Sequence, residues 1–216
     1  MTDGPTTPPP GAPASLVERV KNIIVSPKTE WPRIDSEPAT IGGIYMGYVL
    51  ILAAIGPVAG LIGQQLIGYS ALGISWKPPI AFSVTTAVIA YVLALVTVFV
   101  SALVINALAP NFGGTKDDVK AFKVAAYSAT PGYLGGIFAI IPSLATIGAL
   151  FGLYGLYLLY LGLPRLMRAP EDKAVGYTVV VIVVQIVLYL LVGALVGILV
   201  TAIAGPAMIA GGLGIR

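Results

Sequence analysis

The sequence predicts an all-α, polytopic membrane protein: a bundle of five transmembrane helices preceded by an N-terminal amphipathic helix at the membrane interface. Of its 216 residues, 57% are hydrophobic and 10% are charged, whereas a soluble domain carries roughly 25% charged residues. Several charge-free stretches exceed the ~20 residues that cross a bilayer as a helix. The basic residues fall in short clusters between these stretches, as they do in loops that set membrane topology.

The N-terminal region divides into two predicted parts. Residues 1–14, "MTDGPTTPPPGAPA", are rich in proline and small residues, and such a composition predicts a disordered tail. Residues 15–37 follow as a cytoplasmic helix and linker. The helix begins at a capping box made of Ser15 and Glu18, and Pro27 limits its end.

This first helix is predicted to be amphipathic. Its apolar residues are spaced to share one face, and they are Leu16, Val17, Val20, Ile23 and Ile24. The other face carries polar residues, namely Glu18, Arg19, Lys21 and Asn22. The sequence is compatible with two locations for this helix. It lies on the cytoplasmic surface of the membrane, or it packs against the protein's own loops.

A five-span membrane domain is predicted over residues 38–204, with a short external tail at 205–216. The predicted spans run from about Ile41 to Leu66, Pro79 to Leu108, Val119 to Ile141, Ser143 to Leu163, and Tyr177 to Ala204. The third and fourth spans are separated by a turn of a few residues, so they are expected to form a tight helical hairpin.

The distribution of Lys and Arg predicts a cytoplasmic N-terminus. With that orientation ten basic residues lie inside and only Lys77 and Arg216 lie outside. Such a bias is typical of the positive-inside rule. We therefore expect a multi-pass protein of a bacterial inner membrane, with membrane lipids as its immediate neighbours.

The composition excludes several kinds of chemistry. The chain has no cysteine and no histidine, which excludes zinc sites built on those residues, cysteine nucleophiles and histidine bases. The net charge of +3 is spread over loops between apolar runs, so no nucleic-acid partner is expected. We expect no cofactor, no metal and no enzymatic activity.

Polar side chains within the spans are uncharged. Asn106 lies near the cytoplasmic end of the second span, and Gln185 lies about two turns into the fifth. A buried amide most often forms an interhelical hydrogen bond. In a channel for a neutral solute, the same amides and the tyrosines would line the path.

Small residues and one proline stand out as packing positions. Glycines four residues apart let helix backbones approach closely and favour a compact, self-associating bundle. Pro131 lacks an N–H for the carbonyl of Tyr127, which predicts a kink, and Ser128 or Thr130 is expected to bond that carbonyl. Pro57 predicts a second kink. The packing candidates are Tyr127, Pro131, Gly132, Gly136, Gly148, Gly152, Gly193 and Gly197.

Charged residues in two cytoplasmic loops suggest contact with lipid. Basic side chains next to a span attract anionic head groups, and the candidates are Arg165, Arg168 and Lys173. The same two loops contain the acidic pairs 117–118 and 171–172. If the pairs converged they would offer oxygen ligands for Mg²⁺ beside lipid phosphates; otherwise they solvate the loops.

The third and fourth spans resemble a known family. The stretch from "AAYSATPGYLGG" to the loop "RLMRAPEDKA", together with "SPKTEWPRI" before the first span, is similar to the Yip domain family, the Ypt/Rab-interacting membrane proteins and their bacterial relatives. The resemblance covers roughly residues 20–204. It implies a five-span bundle with a cytoplasmic N-terminus, and in eukaryotes it implies adapters that bind small GTPases and associate with one another.

Two departures weigh against a GTPase partner. Ala126 stands where eukaryotic members carry glycine, and an Asp-Leu-Tyr-Gly-Pro-type cytosolic stretch is not evident. The Ala-, Gly- and Val-rich composition and the segment "SPKTEW" favour a bacterial member.

Three functions therefore remain. The favoured one is a non-enzymatic scaffold or adapter that organises the membrane and forms homo-oligomers or binds other membrane proteins. The second is a channel or transporter for a neutral or small solute, and the third is a lipid-modifying enzyme that uses the loop acids.

Overall fold

The computed structural model describes residues 14–71 and 74–212, so most of the predicted tail at 1–14 lies outside the described residues. The helices are α1 (Leu16–Val25), α2 (Pro27–Ser36), α3 (Ile41–Ile44), α4 (Leu50–Ala53), α5 (Ile55–Leu66), α6 (Ile80–Leu108), α7 (Asp118–Ser128), α8 (Thr130–Gly135), α9 (Ala145–Leu166) and α10 (Glu171–Gly212). A π-helical turn spans Tyr45–Val49, and 3₁₀ turns span Ala109–Phe112, Gly136–Ile140 and Pro142–Leu144. The strands are β1 (Tyr69–Ala71) and β2 (Ile74–Trp76).

Four helical segments among the described residues are long and apolar enough to cross a membrane. They are Ile41–Leu66, Ile80–Phe112, Pro142–Leu166 and Glu171–Ile203. These segments agree with four of the five predicted spans. The fold is therefore that of a helical, polytopic membrane protein.

The third predicted span, from Val119 to Ile141 with a kink at Pro131, is divided into three short segments. Helix α7 ends at Ser128, the six-residue helix α8 follows, and a 3₁₀ turn completes the segment. Proline and glycine, both poor helix formers, are concentrated beyond this break, where the sequence is "TPGYLGG". We call residues 118–140 the broken segment.

Pro131 explains where the break falls. Its ring nitrogen cannot donate to the carbonyl of Tyr127, four residues earlier. The side-chain hydroxyl of Thr130 donates to that carbonyl instead, at 2.7 Å. The backbone acceptor is thus satisfied locally, as a helix break in an apolar environment requires. Pro57 has a similar effect, since α4 ends at Ala53, the residue whose carbonyl it leaves unbonded.

A short β-hairpin connects α5 to α6, and the sequence analysis did not predict it. Tyr69 pairs with Trp76 across the two strands, and their rings stack with centroids 6.0 Å apart. Gly68 precedes β1 with a φ of 76°, in the left-handed region that glycine adopts readily. At the base of the hairpin, the ammonium group of Lys77 donates to the carbonyl of Leu66 at 2.8 Å.

Helix α10 is longer than predicted and packs on α6. It continues through Gly212, so residues 205–212 of the predicted external tail are helical. The hydroxyl of Tyr177 donates to the carbonyl of Ile105 on α6 at 2.5 Å. One turn of α6 away, Ser101 contacts the side-chain amide of Gln185 at 2.9 Å.

Glycines bring the broken segment close to its neighbours. A Cβ placed on Gly148 of α9 would lie 2.4 Å from the carbonyl oxygen of Gly135. On the other side, a Cβ on Gly136 would lie 2.7 Å from the Cα of Gly56 in α5. Backbone therefore packs directly on backbone on both sides of the broken segment, an arrangement that small residues permit.

The N-terminal helix forms as predicted, but its polar residues are not all exposed. Ser15 accepts a hydrogen bond from the amide of Glu18 and so caps the helix. Arg19, assigned to the polar face, is 3% exposed, whereas Val17, assigned to the apolar face, is 73% exposed. The helix therefore packs against the protein itself, because Arg19 finds its partners there rather than in solvent.

We expect the glycine contact between α8 and α9 to be essential for stability. In Gly148→Ala the new methyl group overlaps the carbonyl of Gly135, so the free energy of unfolding should fall by roughly 1–3 kcal/mol. Gly152→Ala is the matched control, because nothing lies within 4 Å of its Cβ position. It should raise helix stability by up to about 1 kcal/mol. Denaturant unfolding of the purified protein, followed by Trp31 fluorescence, measures both. An equal response of the two variants would contradict the packing described.

Candidate functional site

The first candidate site is a buried ionic cluster that holds the N-terminal pair, α1 and α2, against the helix bundle. Arg19 of α1 forms ion pairs with Glu30 of α2 and with Glu37, which follows α2. All three side chains are at least nine-tenths buried. Charges withdrawn from water are tolerated only when paired and hydrogen-bonded, so this cluster fixes the relative positions of α1, α2 and the following chain.

An aromatic ring of the bundle completes the environment of Arg19. Its guanidinium carbon lies 5.3 Å from the ring centroid of Tyr127, within the range of a cation–π interaction. The ring of Tyr127 meets that of Tyr48 edge to face at 4.9 Å. The hydroxyl of Tyr48 is hydrogen-bonded to Thr130 at 2.7 Å. The cluster is therefore connected to the residues that surround the helix break.

Lys123 of α7 binds the C-terminal end of α2. Its ammonium group donates to the carbonyls of Ile34 and Glu37 at 2.7 and 2.5 Å. The last carbonyls of a helix carry partial negative charge and have no partner within the helix. The ammonium group of Lys123 thus supplies hydrogen-bond donors to these carbonyls, and it anchors α2 to α7.

More exposed ion pairs surround this core. Asp35 of α2 pairs with Lys120 of α7 at 2.9 Å and with Arg168, beyond α9, at 3.0 Å. Arg33 donates to Glu18 at 2.7 Å, and this bond holds the pKa of Glu18 below its ordinary value. Exposed pairs stabilise by at most about 1 kcal/mol each. They orient the N-terminal pair, while the buried cluster holds it.

An apolar contact complements the charges. Trp31 of α2 is 1% exposed. A Cβ on Gly162 of α9 would lie 2.6 Å from its indole ring, so the ring lies directly on the backbone of α9. On the other side of the pair, the hydroxyl of Tyr154 donates to the carbonyl of Ile24 at 2.7 Å. The N-terminal pair is consequently bound to α7 and α9 through both polar and apolar contacts.

The second candidate site is a cavity of about 650 Å³ within the bundle. It is enclosed by α6, the broken segment, α9 and α10. Its polar lining residues are Thr97, Ser101, Ser128, Tyr133, Gln185 and Tyr189. None of the lining residues that the structure describes carries a charge. A smaller cavity of about 330 Å³ shares Tyr133 and Gly132 as part of its wall.

The two intramembrane amides occupy different surroundings. Gln185 lines the larger cavity. Asn106 instead binds the start of α7: its side-chain oxygen accepts from the amide of Asp117 at 2.9 Å, and its nitrogen donates to Asp118. Asn106 therefore closes the connection between α6 and α7 and does not lie beside Gln185.

The predicted glycines also separate into two groups. Gly136 and Gly148 are in close contact with neighbouring backbone, whereas the Cβ positions of four others have nothing within 4 Å. These four are Gly132, Gly152, Gly193 and Gly197. Gly132 and Gly152 line the larger cavity. The pairs 132/136 and 148/152 therefore each contain one glycine in close contact with neighbouring backbone. The pair 193/197 contains none.

Of the predicted lipid-binding residues, one has a protein partner. Arg168 pairs with Asp35, while Arg165 and Lys173 are exposed. Asp117 caps α7 by accepting from the amide of Lys120 at 2.9 Å. Within the described residues no group of three or more carboxylates is placed to hold a metal ion.

Sequence reasoning missed the ionic cluster and most of the close-packed glycines. Arg19, Glu30 and Glu37 are separated by 11 and 18 residues, and helical periodicity relates only residues on the same helix. One signal was available: three acidic residues, Glu30, Asp35 and Glu37, lie within a short segment next to a span. Among the glycines, Gly63, Gly155 and Gly162 pack closely but belong to none of the predicted pairs.

Comparison with known proteins identifies the family. The family model described as "Yip1 domain" matches residues 21–194. The chain is similar to inner membrane protein YohC of Escherichia coli strain K12, with 28% identity over 75% of this chain and 85% of the relative. The same protein from Escherichia coli O6:H1 matches equally well. No solved structure matches the chain.

We expect Arg19→Met to release the N-terminal pair. The substitution leaves Glu30 buried without a cation and Glu37 paired with Arg33 alone, at a cost of about 3–5 kcal/mol. Amide hydrogen exchange over residues 16–36 should accelerate. In a Trp76→Phe background, which leaves Trp31 as the single tryptophan, the fluorescence should shift to that of an exposed indole. The control is Arg168→Met, whose side chain is 59% exposed and pairs with Asp35 outside the cluster, so the substitution should cost about 1 kcal/mol or less. If both variants exchange at the same rate, the buried cluster does not hold the pair.

Proposed function

Because the chain belongs to the Yip1 domain family of membrane proteins, we propose that it is a non-enzymatic membrane scaffold or adapter. The observation that carries the proposal is how the chain uses its charged side chains. The buried ones fasten α1 and α2 to the bundle, and the residues described around the two cavities are uncharged. The ionic groups thus stabilise an arrangement of helices and are not gathered for chemistry.

In this proposal the docked N-terminal pair is the cytoplasmic face of the protein. Its outward surface carries Val17, Lys21 and Val25, spaced four residues apart along α1 and all exposed. An apolar and basic surface of this kind suits the cytoplasmic leaflet. In this proposal α1 lies at the membrane interface, as the sequence predicts. Its outer face contacts lipid, and Arg19 on its inner face holds it to the bundle.

We further propose that the broken segment is the fifth membrane crossing. Its 23 residues, 118–140, span about 35 Å if helical throughout, which is comparable to the ~30 Å hydrocarbon core. Its irregular part packs between α5 and α9. Non-helical backbone is tolerated at membrane depth when protein covers it. The positive-inside count supports a cytoplasmic N-terminus, and the name of the Escherichia coli relative supports an inner-membrane location.

The alternative, a path for neutral solutes, has less support. It required Gln185, Asn106 and tyrosines to line one route, and Asn106 instead holds the start of α7. The proposal of self-association is better supported. Gly193 and Gly197 lie four residues apart on an exposed part of α10 with open space around them, as in helix pairs that approach closely in lipid.

Single-cysteine labelling tests the fifth crossing, and the natural chain is well suited to it because it lacks cysteine. In intact cells a membrane-impermeant maleimide should label Lys77→Cys and Ser143→Cys. It should label Lys116→Cys only after the membrane is permeabilised, because the broken segment separates residues 116 and 143. Labelling of Ser143→Cys and Lys116→Cys from the same side would show that this segment does not cross.

Inter-copy cross-linking tests the scaffold. Thr201 donates to the carbonyl of Gly197, so Thr201→Cys places a thiol beside the glycine pair and should form disulfide-linked dimers in native membranes. Adding Gly193→Leu and Gly197→Leu should reduce the dimer roughly tenfold, as expected from a loss of about 1.4 kcal/mol of association energy. Gly42→Leu with Gly47→Leu is the control, because these glycines also have open space. Exclusively monomeric Thr201→Cys protein would contradict self-association through this face.

A further inference from the structure

The larger cavity in the bundle is too large and too specifically lined to be a packing defect. Its volume of about 650 Å³ lies within the 300–1,000 Å³ typical of sites that bury a small molecule. Packed interiors leave few voids larger than a water molecule. The space persists because Gly132 and Gly152 border it without side chains, and a Cβ on either residue would meet nothing within 4 Å.

Two hydroxyl groups in the wall lack protein partners. The Oγ of Ser128 and the phenolic oxygen of Tyr133 are buried and make no hydrogen bond within the protein. Ser128 is 6% exposed, so no bulk solvent compensates it. A buried hydroxyl without a partner is costly, and both residues line the cavity, so a ligand that reached these hydroxyls would supply the missing bonds.

The amide of Gln185 offers a third polar contact. Gln185 is 4% exposed, and one half of its amide contacts Ser101 at 2.9 Å. A primary amide contains both a carbonyl acceptor and two N–H donors, so it retains bonding capacity toward the cavity. The wall thus presents two hydroxyls and an amide to the same space.

The charge and the position of the opening define the ligand further. The described lining residues carry no charge, and an ion in this space would be unpaired at a low dielectric constant. The exposed apolar lining residues belong to α9 and α10: Leu153, Ile186 and Leu190. The cavity therefore opens between these two helices, on the side of the bundle that faces the hydrocarbon.

We propose that this cavity binds one uncharged, single-chain lipid with a hydroxyl-bearing head group of the monoacylglycerol type. The chain occupies the apolar space beside Gly152, Leu153 and Leu156. The head-group hydroxyl and ester carbonyl bond Ser128, Tyr133 and Gln185. The ligand enters from the lipid phase between α9 and α10. Lipid binding in this cavity does not require self-association, and self-association does not require the lipid.

Photo-cross-linking tests the site with the full-length protein in nanodiscs. The probe is a monoacylglycerol with a diazirine in its acyl chain, and mass spectrometry locates the adducts. We expect adducts in α8, α9 and α10, with competition by unlabelled 1-monooleoylglycerol at least about tenfold more effective than by oleate, because the carboxylate must be desolvated without a partner.

Two variants separate the cavity from the outer surface of the bundle. Gly152→Leu fills the cavity and should reduce labelling at least about fivefold, whereas Gly47→Leu, also surrounded by open space but outside the cavity, should label like the native protein. Ser128→Ala should weaken the competition by monooleoylglycerol roughly 2- to 10-fold, the value of one hydrogen bond, and leave that by oleate unchanged.

Several outcomes would overturn the proposal. Equal labelling of Gly152→Leu and Gly47→Leu means that the probe binds the outer surface only. If oleate and monooleoylglycerol compete equally well, the cavity does not select an uncharged, hydroxyl-bearing head group. Unfolding midpoints of both glycine variants are measured in parallel, and Gly132→Val replaces Gly152→Leu if the latter does not fold, because it fills the same cavity from α8.

Discussion

A single constraint, the need to pair buried charge, determines how α1, α2 and the chain up to α3 are arranged. Arg19 is withdrawn from solvent together with two glutamates, and each ion would be prohibitively costly alone. The ion pairs among these three side chains hold α1 against α2 and against the residues that follow α2. Lys123 of the bundle contributes in a similar way. Its ammonium group donates to carbonyls at the end of α2 that have no partner within the helix. The position of the first crossing follows, since α3 begins four residues after Glu37.

Within the apolar part of the bundle, backbone proximity replaces charge as the organising principle. Lipid chains compete with apolar side chains for helix surfaces, so association relies on close packing and a few hydrogen bonds. The broken segment shows this most clearly, because glycine contacts hold it on two sides, against Gly56 of α5 and against Gly148 of α9. A regular helix of larger residues would fit neither neighbour. The proline and glycines that interrupt the helix therefore also permit its packing.

The sequence predicted those features that depend on local chemistry. Membrane-spanning length, the cap at Ser15 and the hydroxyl of Thr130 at the break each involve residues within one or two helical turns. Features that depend on distant partners were not predicted. The burial of Arg19 requires knowing that Glu37 returns to it from 18 residues away, and hydropathy alone places any arginine in water. Likewise, the spacing of glycines cannot distinguish Gly148, which touches a neighbouring carbonyl, from Gly152, which faces a cavity.

The ionic cluster and the cavity are built on consecutive residues of one short stretch. Tyr127 lies beneath the guanidinium of Arg19, Ser128 is in the cavity wall, and Thr130 bonds both the carbonyl of Tyr127 and the hydroxyl of Tyr48. At the break, the side-chain hydroxyl of Thr130 replaces the backbone bond that Pro131 cannot make to Tyr127. Loss of the N-terminal pair therefore removes support from the same stretch that presents Ser128 to the cavity. The ionic cluster and the apolar cavity therefore meet at this break, where the broken segment carries its proline and glycines.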